Sequence, residues 1–230
     1  MVVMNSKYWL YLFFADLLIE LTAITLHRND IHQFAKPFLI AILFVWFMAS
    51  SVKFSPLRYR IAAALFFSWL GDVFLLMEEK NPAWFMAGLV SFLLAHILYI
   101  LFFLKIRSMQ ATKQSWNLLI IVIVEGYAAS LFVLLYPHIG SLQIPVAVYA
   151  ITIATMLVTA AHAFNKNMQQ AARYCITGAA LFVTSDSLLA LNKFYHPFAA
   201  AALYIMLTYG LAQFAITKGS LLYLAGENTV

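Results

Sequence analysis

Long apolar runs alternate with short polar breaks from Tyr8 to Thr217, and no extended polar segment separates them. Roughly 20 apolar residues cross a bilayer as a helix. The pattern predicts eight such spans, over residues 8–26, 37–53, 58–77, 82–105, 115–136, 142–164, 171–192 and 197–217. Pro37, Pro82, Pro145 and Pro197 each stand in the first turn of a span or just before it. A missing N–H costs little there. Tyr8, Trp9, Trp84, Trp116, Tyr136 and Tyr195 fall near span ends, where aromatic residues meet the membrane interface. The connections are short, so residues 1–230 read as one transmembrane domain, an all-α bundle.

Composition sharpens this reading. Hydrophobic residues are 64% of the chain and charged residues 10%, against roughly 45–50% and 25% in soluble domains. A soluble globular domain and a disordered chain are both excluded. The 14 Lys and Arg are scattered, which leaves no cluster for nucleic acid. With Cys175 as the single cysteine, the chain can form neither an intrachain disulfide nor a multi-cysteine metal site.

Loop charges set an expected orientation. Lys7, Lys53, Arg58, Arg60, Lys105, Arg107, Lys113, Lys166, Arg173 and Lys218 fall on one side; Arg28, Lys36, Lys80 and Lys193 fall on the other. The positive-inside rule then places both termini in the cytoplasm.

Spans 3 and 7 share a local pattern. Ser68-Trp69-Leu70-Gly71-Asp72 and Thr184-Ser185-Asp186 each carry small residues and an aspartate before a Leu-rich stretch. The chain is then either two related four-helix halves or a chance likeness of Leu/Phe-rich helices. Four helices per half keep both halves in the same orientation.

Ionisable groups at the bilayer centre are costly and face the bundle interior. Here they are Asp16, Glu20, Asp72, His96, Glu125, His162 and Asp186. No Lys or Arg is expected deep in a span, so these acids are expected to lack a buried cationic partner. Asp72 and Asp186 lie 14 and 15 residues into their spans. At about 1.5 Å per residue both sit roughly 21 Å from the cytoplasmic end. Tyr149, Tyr204 and Glu20 fall near the same level, with Lys36 and Lys193 at the outer mouth above. His162 is expected at a wet cytoplasmic end, while Glu125 and Asp16 read as helix–helix hydrogen bonders.

No Gly-x-Ser-x-Gly elbow, His-Glu-x-x-His pair or phosphate-cradling Gly-rich loop occurs. Carboxylate acid/base chemistry and proton-coupled transport of a small or amphipathic solute remain.

The chain resembles the YhhN-like lysoplasmalogenases of bacteria and animals. The resemblance runs from Lys36-Pro37 through Ala64–Leu76, Phe85–Ile100, Pro145, Tyr149 and Met156 to Gly178–Phe182, Ser185–Ala190, Phe194, Tyr209 and Ala212-Gln213. It implies a membrane hydrolase, an ether hydrolase of lipid metabolism. The enzyme would split the vinyl ether of a lysoplasmalogen into a fatty aldehyde and glycerophosphoethanolamine or glycerophosphocholine. Asp72 and Asp186 would be the catalytic pair. Glu20, His96, Tyr149, Tyr204 and Tyr209 would position them, water or substrate, and Lys36, with Lys193, would meet the phosphate. The expected pocket is an amphipathic tunnel lined by Phe and Leu and opening near Lys36. No cofactor or metal is required. The partners implied are a lysophospholipid substrate and membrane lipid, with the oligomeric state left open. The location implied is a cell membrane, the cytoplasmic one in a bacterium.

Overall fold

The computed structural model describes residues 6–51, 55–78, 80–81, 83–110 and 115–226. Lys53, Pro82 and Lys113, used above for span starts and loop charges, lie outside them.

The eight apolar runs become eight long helices: α1 (Ser6–Thr25), α2 (Asn29–Ser50), α3 (Pro56–Leu76), α4 (Ala83–Ser108), α5 (Leu118–Leu135), α6 (Gln143–Ala161), α7 (Gln169–Ala190) and α8 (Ala201–Gly226). No strand occurs among the described residues. Pro56 opens α3 after the extended Ser55, and the Asn117 side chain caps α5 by accepting from the Leu119 N–H at 3.0 Å. The α1–α2 turn needs a left-handed residue, supplied by His27 at φ 54°, and Ala200 at φ 57° precedes α8.

Two expectations change. The sequence reading began span 2 at Pro37, but α2 begins two turns earlier at Asn29, with Pro37 inside it. Asp30 in its first turn favours this start. The second change concerns the count. Seven helices, α1 to α7, are long and apolar enough to cross a membrane. The eighth, α8, is long enough at 26 residues but is not among these seven, its apolar run being interrupted at Gln213, Thr217, Lys218 and Ser220. Its Gln213, Thr217 and Ser220 are fully buried in the bundle, so the polarity is turned away from lipid. The chain is an integral multi-pass membrane protein.

Helices α7 and α8 pack antiparallel at close range. Ser185 donates to the Ile205 carbonyl at 3.0 Å. Further along, a Cβ on Gly178 would lie 2.8 Å from the Ile216 nitrogen, and one on Gly219 2.9 Å from the Cys175 nitrogen. Only hydrogens fit between backbones at such spacing, the usual role of small residues between membrane helices. Together α3 and α4 form the matching hairpin, with Gly71 under the Phe92 ring.

The main core joins α1–α4 to α6–α8 through side chains such as Leu43, Trp46, Ile61, Phe102, Phe182 and Ile216. By contrast α5 buries only Ala128 and Leu135, and exposes Leu118, Leu119, Val122, Ile123 and Val133. These suit lipid contact.

Candidate active site

A cavity opens between α4, α5, α6, α7 and α8, with Lys36 and Asp72 reaching in from α2 and α3. Leu89, Phe92, Leu131, Phe132, Ile153 and Val183 form apolar wall, while Lys36, Asp72, Asp186 and Lys193 supply charge. The mixed lining matches the expectation, but Lys36 does not stand at an open mouth: its side chain is largely buried, against Asp72. Both aspartates line the cavity.

Asp72 is 1% exposed. Gly71 lets the Phe92 ring close on the turn beside it: a Cβ there would lie 2.6 Å from that ring. The Tyr209 hydroxyl donates to Asp72 Oδ2 at 2.7 Å. Behind it, Gln213 Nε2 donates to the Tyr209 oxygen at 3.4 Å, and the Tyr99 hydroxyl donates to Gln213 Oε1 at 2.9 Å. This buried chain fixes the phenol, and so the carboxyl. Lys36 Nζ stands 4.0 Å from Asp72 Oδ1. The expectation that the acids lack a buried cationic partner is therefore wrong for Asp72. Lys36 lies within α2, and its side chain is only 13% exposed.

Asp186 sits between two serines that bond elsewhere. Ser185 is tied to α8 as above, and Ser187 donates to the Val183 carbonyl at 2.7 Å. The Tyr149 hydroxyl donates to Asp186 Oδ2 at 2.5 Å. His96 Nε2 is 4.0 Å from the same oxygen. The imidazole is fully buried, edge-on to Phe182 at 4.6 Å and Tyr149 at 5.4 Å. Neither of its nitrogens has a hydrogen-bond partner among the described residues.

The two surroundings correspond. Asp72 meets Lys36 from α2 and Tyr209 from α8; Asp186 meets Tyr149 from α6 and His96 from α4. Counting four helices to a half, each acid on a third helix meets the second helix of its own half and the fourth helix of the other. Lys36, Asp72 and His96 precede Tyr149, Asp186 and Tyr209 by 113, 114 and 113 residues. The three pairs thus stand in register across the two sets of four helices.

The other expected residues divide. His96, Tyr149, Tyr209 and Lys36 are gathered at the aspartates. Tyr204 is 52% exposed and does not line the cavity. Glu20 is fully buried but outside the lining, with its Oε1 2.7 Å from His32 Nδ1. Glu125 does meet another helix, accepting from Thr155 at 3.4 Å. His162 is not wet: it is 6% exposed, bonds the Val158 carbonyl through Nδ1 and accepts from the Asn117 N–H at 2.9 Å.

Three residues escaped the sequence reading. His32 stands one helical turn before Lys36, a signal visible once α2 starts at Asn29. Gln213 was noted only as part of a motif. Glu78 lies just beyond α3 and forms an ion pair with Lys193.

The fold and site define a multi-pass membrane protein with one buried and one part-buried carboxyl on one largely apolar cavity. The YhhN family model matches residues 31–220, and the chain belongs to that family. It is 31% identical over 192 residues to the lysoplasmalogenase of Mycobacterium tuberculosis, covering 82% of this chain and 71% of the relative. Against the human lysoplasmalogenase TMEM86B it is 32% identical over 186 residues, 80% of this chain and 72% of the relative. The bovine lysoplasmalogenase TMEM86A is 31% identical over 190 residues, 77% and 72% respectively. No solved structure matches the chain.

Proposed function

We propose that this protein hydrolyses the vinyl ether bond of lysoplasmalogens, with Asp72 and Asp186 as the acid/base pair. The observation that carries the mechanism is the unlike pairing of two carboxyls on one cavity. Asp72 faces the Lys36 ammonium, whereas Asp186 faces a phenol and a histidine that carries no bonded proton partner. A carboxylate suits the first setting and a proton donor the second.

The reaction then runs as follows. Asp186 gives its proton to the β-carbon of the vinyl ether, and an oxocarbenium ion forms at the α-carbon. The Asp72 carboxylate, held by Tyr209, stabilises that cation as carboxylates do in glycoside hydrolysis. Water adds to the α-carbon and passes a proton to Asp72. The hemiacetal then collapses. Its hydroxyl proton returns to Asp186, Asp72 protonates the departing glycerol oxygen, and the aldehyde leaves.

In this reading the site lies in one transmembrane domain of eight crossings with both termini cytoplasmic, in a cell membrane, which in a bacterium would be the cytoplasmic one. The pairing of α8 with α7 along its length supports the eighth crossing. Purified protein incubated with a lysoplasmalogen tests the reading. Aldehyde release is expected; proton-coupled uptake into vesicles without aldehyde would mean a transporter instead.

A further inference from the structure

At the cavity rim, Lys193 projects from a five-residue π-helical segment, Leu191–Tyr195, that continues α7. Single π turns re-aim side chains and recur at functional sites. The Lys193 ammonium forms an ion pair with Glu78 and lies 4.9 Å above the centre of the Phe85 ring. Phe194 closes on Phe85 edge-to-face at 5.9 Å. A carboxylate beside an aromatic face is the set of groups that binds an organic ammonium. Here the protein's own lysine fills that place.

We infer that Glu78 and the Phe85 ring form an ammonium subsite for the substrate head group, and that Lys193 leaves it to bind the adjoining phosphate. This rests on the hydrolase reading above. Distances along the chain agree with it. Glu78 and Lys193 lie six and seven residues outward of Asp72 and Asp186, roughly 9–10 Å along the helices. Six bonds separate the vinyl ether α-carbon of a lysoplasmalogen from phosphorus, and four more lead to nitrogen. At about 1.2 Å per extended bond these are roughly 7 and 12 Å. The rim pair therefore falls between the two head-group charges when the vinyl ether is at the aspartates.

Charge balance gives the selectivity. A zwitterion exchanges partners with the rim: its phosphate takes Lys193 and its ammonium takes Glu78. An anionic head group takes Lys193 and leaves Glu78 half-buried without a cation. Stripping one member of a part-buried pair is costly, so the rim disfavours head groups that lack an ammonium.

The test compares wild type, Glu78→Gln and Glu78→Asp. Substrates are alkenyl lysolipids bearing phosphoethanolamine, phosphocholine or phosphate alone. Glu78→Gln should raise KM about tenfold for the two ammonium substrates, with kcat within twofold, since one charge contact is worth about that. For the phosphate-only substrate KM should fall or stay unchanged, and Glu78→Asp should restore most of the preference. Equal KM changes on all three substrates would overturn the subsite. Binding of the non-cleavable alkyl ether analogues, read by thermal stability in detergent, gives the same comparison without turnover. Failure of hydrolysis and failure of head-group reading are thus separable: a preserved, Glu78-dependent preference in binding upholds the subsite even if no aldehyde forms.

Discussion

Tyr209 and Asp72 are 137 residues apart in sequence and 2.7 Å apart in space. The bond joins the fourth helix of the second half to the third helix of the first. It ties the proposed base to a buried chain of hydrogen bonds through Gln213 and Tyr99, two residues outside the cavity lining.

Asp72→Asn and Asp186→Asn should each abolish most aldehyde release while leaving folded protein in the membrane. Asparagine keeps size and hydrogen bonding but moves no acidic proton. General acid/base groups contribute roughly 10²–10⁴-fold, so each loss should reach that range. The double variant should lose far less than the product of the single losses. In the proposed mechanism protonation of carbon should limit the rate, so wild-type turnover should also slow in D₂O. Near-normal turnover in either single variant would make that aspartate structural.

Lys36→Met should lower kcat as well as raise KM. Its ammonium lies 4.0 Å from Asp72 Oδ1, so its loss should disturb the proposed base as well as any contact with the head group. Steady-state kinetics on one lysoplasmalogen decide this. A KM effect alone, with kcat unchanged, would restrict Lys36 to the head group.

His96→Phe should cut turnover by about 10- to 150-fold, the worth of a hydrogen bond to a charged group, when Nε2 closes its 4.0 Å gap to Asp186 in the substrate complex. The ring already packs on Phe182 and Tyr149, so phenylalanine fits and thermal stability in detergent should hold or rise. Loss of both stability and activity would make His96 a packing residue.

Gly178→Ala should destabilise the α7–α8 pair. Its new methyl would lie 2.8 Å from the Ile216 nitrogen and 2.9 Å from the Ala212 carbonyl oxygen. Backbone cannot yield as a flexible side chain does, and overpacking costs about 1–3 kcal/mol. A lower midpoint of thermal unfolding in detergent is expected. By comparison Gly126→Ala, where a Cβ meets nothing within 4 Å, should leave the midpoint unchanged.

Nearness along the bundle was readable in part from the sequence; side was not read from it. Counting residues from span ends placed Asp72, Asp186 and Tyr149 at one depth, and Tyr149 does bond Asp186. The same count placed Tyr204 there, yet Tyr204 is exposed and Tyr209 faces the cavity. Five residues turn a helix by about 140°, so the two tyrosines look in different directions. The direction was marked in α8 by Tyr209, Gln213, Thr217 and Ser220, which recur at helical spacing on one face and are all buried. Lys36 was misplaced for another reason. Pro37 reads as a helix start, but α2 accepts it in the interior, and the cation is carried down to Asp72. Glu78 was invisible because its importance lies in a partner on another helix, not in its own surroundings.

The exchange of fourth helices between halves has a consequence for how such a chain can be divided. A cut between Gln110 and Ser115, in the connection after α4, gives two fragments that each hold one aspartate. The fragment with Asp72 lacks Tyr209, and the fragment with Asp186 lacks His96. Neither can work alone, and activity should return only when both occupy one membrane.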